Sequence, residues 1–389
     1  MSREDVLFAT IEAGGGHLAT ARAMEAAVRS IRPGLRLRVS DYMLELGLFR
    51  QDRQHKRLWR SMLRRPWLIR SGQTVLDALP AATRAWHRIS LREFAVRAAA
   101  DLNGAGTSLV VANHGWLATG LTLARQLYGL ESRVLVFATE PLDASALWSV
   151  PAAEHVIAPS AAARADLIRL GVPAASVSTV GYPVGPDFLQ PAPARRQADP
   201  LRVLVSLGGE GIGGDPVRML RLLSGRGWQA TVLCGRNEAL LRRLELAFKA
   251  DPLVTQLGFT DRVAELTRSA DAVVGKAGPA SVLEALALGR PYAATGYAGL
   301  NELRLIRFLS RRGLGGPVRA AAGLPGFLER FTASLSAREA VAERCAQLDF
   351  PGMTDRLGRA IVALLETGTV PADLKDRGLD SSPVTAQTR

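Results

Sequence analysis

Val6-Leu7-Phe8-Ala9-Thr10-Ile11 leads into Gly14-Gly15-Gly16-His17, and a helical pattern starts at Ala19. The same grammar returns when Arg202-Val203-Leu204-Val205-Ser206-Leu207 leads into Gly208-Gly209-Glu210-Gly211-Ile212-Gly213-Gly214, with a helical pattern from Pro216. In each case a run with strand character ends in a glycine turn, and the amides of the turn and of the following helix are offered to an anion. One such turn is weak evidence of a site. Two, each opening its own α/β segment, point to two nucleotide-binding-type domains facing each other across a cleft.

Outward from these turns, strand signals at 6–11, 35–39, 108–112, 133–139 and 154–158 alternate with helical patterns at about 19–30, 82–101, 117–128 and 161–170. Such alternation specifies an α/β fold with a parallel sheet covered on both faces. Residues 42–79 show no clean period. Pro183, Pro186, Pro191, Pro193 and Pro200 resist both helix and sheet ladder, so 183–200 reads as a linker. The alternation then restarts, with strands at 202–207, 229–234, 254–257, 272–275 and 291–294 and helices near 216–224, 238–250, 263–269, 280–288 and 302–312. Helical stretches at about 325–331, 337–347 and 354–365 close the chain. The expected organisation is a domain over 1–182, the linker, a second domain over 201–366 that includes the closing helices, and a polar, disordered tail over 367–389.

A chain of 389 residues with 48% hydrophobic content has material for two substantial cores. No apolar run reaches the roughly 18 to 20 residues that span a bilayer. Met1-Ser2-Arg3-Glu4-Asp5 lacks the layout of a signal peptide, and two cysteines, Cys234 and Cys345, make neither a disulfide framework nor a zinc site. These features give a cytoplasmic expectation. The formal charge of +13 calls for a polyanionic partner. The excess is concentrated: Arg50, Arg53, Lys56, Arg57, Arg60, Arg64, Arg65 and Arg70 stand against the one acid Asp52, interleaved with Leu58, Trp59, Met62, Leu63, Trp67, Leu68 and Ile69. Cations mixed with tryptophan and aliphatics suit an anionic membrane surface, whereas a solvated basic helix packed by its apolar stripe is the plainer alternative. No nucleic-acid-binding module is recognisable, so nucleic acid is not an expected partner.

His17 sits where a helix begins, and the helix dipole disfavours its imidazolium; a neutral imidazole there can take a proton from an incoming hydroxyl. The second glycine turn can accept a diphosphate at the start of the helix from Pro216. Gly275-Lys276-Ala277-Gly278-Pro279 forms a third strand–turn–helix junction, with proline in a first helical turn and Glu284 about one turn on, where a carboxylate can accept two ribose hydroxyls.

Gly14-Gly15-Gly16-His17-Leu18-Ala19-Thr20-Ala21, Gly208-Gly209-Glu210-Gly211, Cys234-Gly235-Arg236-Asn237, Gly258-Phe259-Thr260, Lys276-Ala277-Gly278-Pro279 and Glu284-Ala285-Leu286 occur in that order. Over roughly residues 5 to 365 the chain resembles the monogalactosyldiacylglycerol synthase and processive diacylglycerol glucosyltransferase group of glycosyltransferase family 28. The resemblance implies a GT-B fold, two Rossmann-like domains with the active site in the cleft between them. It implies transfer of a hexose from a UDP-sugar to a lipid hydroxyl, diacylglycerol or a glycosyl-diacylglycerol, with inversion at the anomeric carbon. It also implies a peripheral position on the inner face of the cell membrane.

By the same resemblance His17 is the general base. Gly16, Gly208, Gly209, Gly211, Arg236, Phe259, Lys276, Ala277, Gly278, Glu284, Asn301 and Glu302 fall on the donor side, with Glu284 matching a ribose-binding glutamate. His114 and Glu140 fall on the acceptor side, with Arg57, Trp59, Arg64, Arg65 and Trp67 toward the membrane. Three departures bear on specificity. The family's Pro-Gly-Gln-Glu is Gly299-Leu300-Asn301-Glu302 here, and Leu305 replaces an asparagine. Its Thr-His-Pro is Asn113-His114-Gly115, and its Thr-Asp is Thr139-Glu140. No Asp-X-Asp sequence is present, so no cofactor is required by this reading, beyond a Mg²⁺ ion loosely held with the donor. Two other readings stay open: a soluble UDP-sugar 2-epimerase-like enzyme, which would need several carboxylates in the cleft, and a non-catalytic UDP- or lipid-binding descendant.

Overall fold

A computed structural model describes residues 4–12, 15–150, 152–191, 199–374 and 378–380, so Gly14, part of the expected linker and the last residues of the expected tail lie outside the described residues. The chain divides into two compact units, Met1–Gly185 with Phe350–Arg389, and Pro186–Asp349.

In the first unit β1 (Val6–Thr10), β2 (Leu37–Asp41), β3 (Leu109–Ala112), β4 (Arg133–Phe137), β5 (His155–Ala158) and β6 (Val177–Thr179) form a parallel sheet in the order β2-β1-β3-β4-β5-β6. β1, β3 and β5 are buried along their whole length, as continuous apolar runs require when helices cover both faces. The helices are α1 (Gly16–Ile31), α2 (Tyr42–Glu45), α3 (Phe49–Leu63), α4 (Pro66–Ala78), α5 (Pro80–Ser90), α6 (Arg92–Ala105), α7 (Gly115–Leu127) and α8 (Ala161–Arg169). One face of the sheet (Leu7, Ala9, Val110, Ala112, Val134, Val136) packs with Phe94, Leu102, Leu117 and Leu121 of α6 and α7 into one core.

The region without a clean period is α2, α3 and α4, and its sequence is hard to read because the wrong residues are inside. On α3, Asp52 is buried and Lys56 is held between Asp41 Oδ2 (2.7 Å) and Asp52 Oδ1 (2.8 Å), while Phe49 and Leu58 face out. Asp52 is the buried residue of this helix, whereas Trp59, Met62 and Leu63 are only half-buried, so no apolar stripe marks an inner face. The single helix expected over 82–101 is two, α5 and α6, broken at the buried Leu91.

The second unit holds β7 (Arg202–Ser206), β8 (Gln229–Leu233), β9 (Val254–Leu257), β10 (Ala272–Lys276), β11 (Tyr292–Gly296) and β12 (Gly315–Pro317), parallel in the order β12-β11-β10-β7-β8-β9. Its helices are α9 (Pro216–Ser224), α10 (Glu238–Ala247), α11 (Val263–Ser269), α12 (Pro279–Ala287), α13 (Leu300–Arg311), α14 (Leu324–Thr332) and α15 (Leu335–Ala346). Counting from its first strand, this is the doubly wound Rossmann order.

The last helix, α16 (Phe350–Thr367), departs from the expected domain plan: it belongs to the first unit. It lies against α1 so closely that a Cβ on Gly358 would stand 2.9 Å from the Ala27 carbonyl, and Arg133 Nη1 donates to the carbonyls of Leu364 (2.8 Å) and Leu365 (2.9 Å). Part of the expected tail is also placed. The Leu379 amide donates to Pro159 O at 2.9 Å, its side chain is fully buried, and the Asp380 carboxylate accepts from the amides of Ala161 (2.9 Å) and Ala162 (3.1 Å) at the start of α8. A helical period shows that a segment is helical and buried, not which core buries it.

Candidate functional site

Ligands of open parallel sheets bind outside the carboxyl ends of the strands, where the strand order reverses. In the first unit that point lies between β1 and β3, whose register runs Val6↔Leu109 to Ala9↔Ala112. Chain leaving β1 reaches Gly15, in the left-handed region at φ +92°, and then His17, the second residue of α1. Chain leaving β3 is Asn113-His114. The two segments are tied together: His17 Nδ1 lies 2.8 Å from the Asn113 carbonyl and Asn113 Nδ2 donates to the His17 carbonyl at 2.6 Å. A carbonyl only accepts, so Nδ1 carries the proton and Nε2 the lone pair. Thr139 Oγ1 stands 3.4 Å from the same Nδ1.

Burial, above all, pushes the His17 imidazole down to about 4; the bond to Asn113 opposes this and the charge of His55 adds to it. Burial thus joins the helix dipole in keeping the ring neutral. The His17 and His114 rings are 4.8 Å apart edge to face, His114 and His55 5.4 Å, and His55 and Trp116 4.2 Å. Trp116 continues to Trp86 (6.4 Å) and His87 (6.5 Å), so rings from α1, α3, α5 and α7 make one row. Burial likewise lowers His55, to about 4, and His114, well below the usual imidazole range. His55, Trp116 and His87 carry no sequence signal as site residues; His55 lies on α3, next to the Lys56 that anchors that helix.

Glu140 follows Thr139, and burial, with Asp143 beside it, pushes its carboxyl up to about 8. Its oxygens accept from the Ser145 amide (2.7 Å) and hydroxyl (3.1 Å), Asp77 Oδ1 accepts from the Ala146 amide (2.6 Å), and Asp166 Oδ2 from the Ala144 amide (3.3 Å). These carboxylates hold the loop after β4 in place. The basic insertion presents Arg57, Arg64, Arg65 and Trp67 to solvent, with Trp59 half-buried. The exposed apolar surface continues past it along α4 and α5, through Val75, Leu79, Trp86 (55% exposed) and Ile89 (81% exposed), further than the sequence pattern marks.

In the second unit the order reverses between β7 and β10. The turn after β7 has positive φ at Gly208 and Gly211 and packs on the turn after β8: Arg236 N donates to Gly209 O (2.9 Å) and Asn237 Nδ2 to Gly211 O (3.2 Å). A Cβ on Gly211 would collide with the Cys234 carbonyl, so glycine is needed there for packing alone. The expected delivery of a diphosphate by this turn to α9 meets an acidic group at that helix start. The Asp215 carboxylate caps α9, accepting from Arg218 N at 3.1 Å, and would repel a phosphate. At the strand-order reversal the start of α12 is open: it follows Lys276-Ala277-Gly278 with Pro279 at its first turn and has no side-chain cap.

The Lys276 ammonium stands beside that start, 3.5 Å from where a Gly278 Cβ would be, and is ion-paired with Glu302 Oε1. Glu302 Oε2 accepts from the Ala298 amide at 2.6 Å, so this buried carboxylate faces inward rather than toward a sugar. Tyr292 donates its hydroxyl to the Lys276 carbonyl at 2.7 Å and fixes the turn. Glu284 makes no hydrogen bond to the described residues, and burial alone pushes it up to about 7. Asn301 is half-buried, and Leu305 is fully buried, beyond reach of a sugar. Phe259, 65% exposed, lies under the Arg236 guanidinium at 4.4 Å, a flat surface of the kind a base can stack on. Among the described residues no group of three or more His, Cys, Asp or Glu could hold a metal ion, and no helix is long and apolar enough to cross a membrane.

Residues 218–294 match the Glycosyltransferase family 28 C-terminal domain. The chain is a relative of processive diacylglycerol beta-glucosyltransferase of Staphylococcus epidermidis, 26% identical over 177 residues that cover 43% of this chain and 45% of that one. It is likewise related to monogalactosyldiacylglycerol synthase of Spinacia oleracea, 26% identical over 204 residues covering 46% and 38%. The matched segment thus spans less than half the length of these two relatives. Among solved structures, a Listeria monocytogenes protein named for UDP-N-acetylglucosamine 2-epimerase superposes with a TM-score of 0.59 at 13% identity, over 95% of this chain and 99% of that one. Glycosyltransferase structures superpose comparably, and the fold is GT-B.

Proposed function

We propose that the protein is an inverting glycosyltransferase that moves a hexose from a UDP-sugar to a hydroxyl of diacylglycerol or a glycosyl-diacylglycerol at an anionic membrane surface. The observation that carries this reading is His17: a neutral imidazole at the strand-order reversal of the first unit, with Nδ1–H bound to Asn113 and the Nε2 lone pair available. Nε2 takes the proton of the acceptor hydroxyl as its oxygen bonds to the anomeric carbon. The bond from that carbon to the diphosphate breaks, and UDP leaves with the electron pair. One displacement inverts the centre, and one base suffices where a hydrolase needs two carboxylates.

Charge growing on the leaving diphosphate is met by the open start of α12 and by Lys276, with Gly208, Gly209 and Gly211 shaping the neighbouring turn. Arg236 and Phe259 are assigned to the base and Glu284 to the ribose. No step is routed through a metal; a Mg²⁺ ion arriving with the donor would add to the same positive end. The membrane part rests on the arginines of α3 and the exposed Trp67, Trp86 and Ile89 beside them. The carboxyl groups of Glu140, Asp77 and Asp166 accept from amides of the loop after β4 and so serve that loop's conformation. Incubation with UDP-glucose or UDP-galactose and diacylglycerol vesicles should release UDP and yield a glycolipid of matching mass, and His17→Ala should abolish both. A fully active His17→Ala would sink the mechanism, and UDP binding without turnover would reduce the protein to a binding descendant.

A further inference from the structure

We propose that Asn113 is the positioning residue of His17: its carbonyl selects the Nδ1–H tautomer, and its side-chain amide pins the backbone of His17 so that the ring stays on that carbonyl. The proposal rests on His17 being the base and asks what makes it one. Asn113 is fully buried at the end of β3, and both of its contacts to His17 are short, 2.8 Å from the ring to its carbonyl and 2.6 Å from its Nδ2 to the His17 carbonyl. The two bonds run in opposite directions between the same two residues, so neither segment can slide without breaking both.

The amide can sit only one way round. Turned over, it would set Oδ1 against the His17 carbonyl, two acceptors face to face. Its Oδ1 is buried and meets no donor among the described residues. A buried amide with an unpaired oxygen is unfavourable for folding, and an apolar side chain would avoid that cost. What Asn113 supplies and an apolar residue does not is the hold on His17. Thr139 Oγ1, at 3.4 Å from Nδ1, is too distant to set the tautomer by itself. His114 faces the same ring edge to face at 4.8 Å and limits its tilt, but makes no bond to it.

The test uses the full chain with Asn113→Leu, of nearly the same shape and apolar, and Asn113→Ala in case the larger side chain disturbs folding. Long-range proton–nitrogen NMR of the His17 ring reads the tautomer directly; urea unfolding and steady-state UDP release run alongside. Wild type should show Nδ1 protonated and Nε2 not. Both variants should show a mixture of tautomers and a 10- to 100-fold lower kcat with an unchanged KM for the UDP-sugar, while Asn113→Leu keeps or gains stability. A single wild-type tautomer with wild-type kcat in either folded variant overturns the proposal, as does a loss of kcat that only tracks a loss of stability. Because tautomers are read without turnover, an active His17→Ala would refute the base while leaving the clamp on the ring to be judged on the NMR result.

Discussion

Replacing Glu302 by glutamine should make the second unit less stable and, at the same time, better at binding UDP. The Glu302 carboxylate neutralises Lys276 at the open start of α12 and accepts the Ala298 amide. The glutamine side chain can keep an oxygen for that amide, but its NH2 then faces the Lys276 ammonium, donor against donor, so the cost is that of one broken, largely buried pair. Lys276 is 30% exposed, which brings the expected loss down to about 1–2 kcal/mol from the roughly 3–5 typical of fully buried pairs. For the ligand, a carboxylate about 7 Å from a diphosphate repels each phosphate charge by roughly 2 kcal/mol at an effective dielectric of about 20. Solvent and salt reduce that to on the order of 1 kcal/mol, so UDP should bind about fivefold tighter. Lys276→Met removes the attractive partner instead and should weaken UDP binding by a similar factor or more. Calorimetric titration with UDP and urea unfolding measure both quantities on the same samples. If Glu302→Gln weakens UDP binding as Lys276→Met does, the carboxylate meets the ligand directly, and the inward-facing account of Glu302 is wrong.

Three further outcomes follow from the first unit. His17 and His55 are held near 4, below the unfolded imidazole value, so the unfolded chain binds more protons between about pH 4 and 6.5. The contribution of these rings to stability should be full above about pH 6.5 and be lost as acid is added, by up to about 1 kcal/mol per pH unit for each, while the raised carboxyls of Glu140 and Glu284 act in the opposite sense over an overlapping range. The difference between the wild-type and His55→Asn profiles in urea unfolding isolates one ring, and parallel profiles would contradict the burial argument. On anionic vesicles, Trp86→Ala with Ile89→Ala should lower partitioning about 100-fold at any salt concentration, since about 3 kcal/mol of apolar burial is lost, whereas Arg57→Ala with Arg64→Ala and Arg65→Ala should remove mainly the salt-sensitive part. Sedimentation that ignores both sets would remove the membrane from the proposal. Asp380→Ala strips the start of α8 of two accepted amide bonds and should lower stability by about 1 kcal/mol in thermal unfolding.

The two glycine turns were legible as strand–turn–helix junctions because such a junction leaves a local signature, and each follows a strand at the point where its sheet's order reverses. What the sequence could not show is which helix start is free. Asp215 and Gly278 both precede a proline that opens a helix, and only the side-chain bond from Asp215 to Arg218 N closes one and leaves the other open. The same limit applies to charges: Lys276 and Glu302 read as two donor contacts, yet they meet each other, because α13 carries Glu302 back over the turn after β10. In the first unit His17 stood out by its motif, but His55 did not, since its position is set by an ion pair between Lys56 and acids on α3 and β2 that leaves no periodic trace. Local chemistry is thus written in the sequence, and pairings between distant segments decide which of that chemistry is left for a ligand. Asn113 is the sharpest instance. As a letter it is a departure from Thr-His-Pro, and only its two bonds to His17 give the difference a consequence.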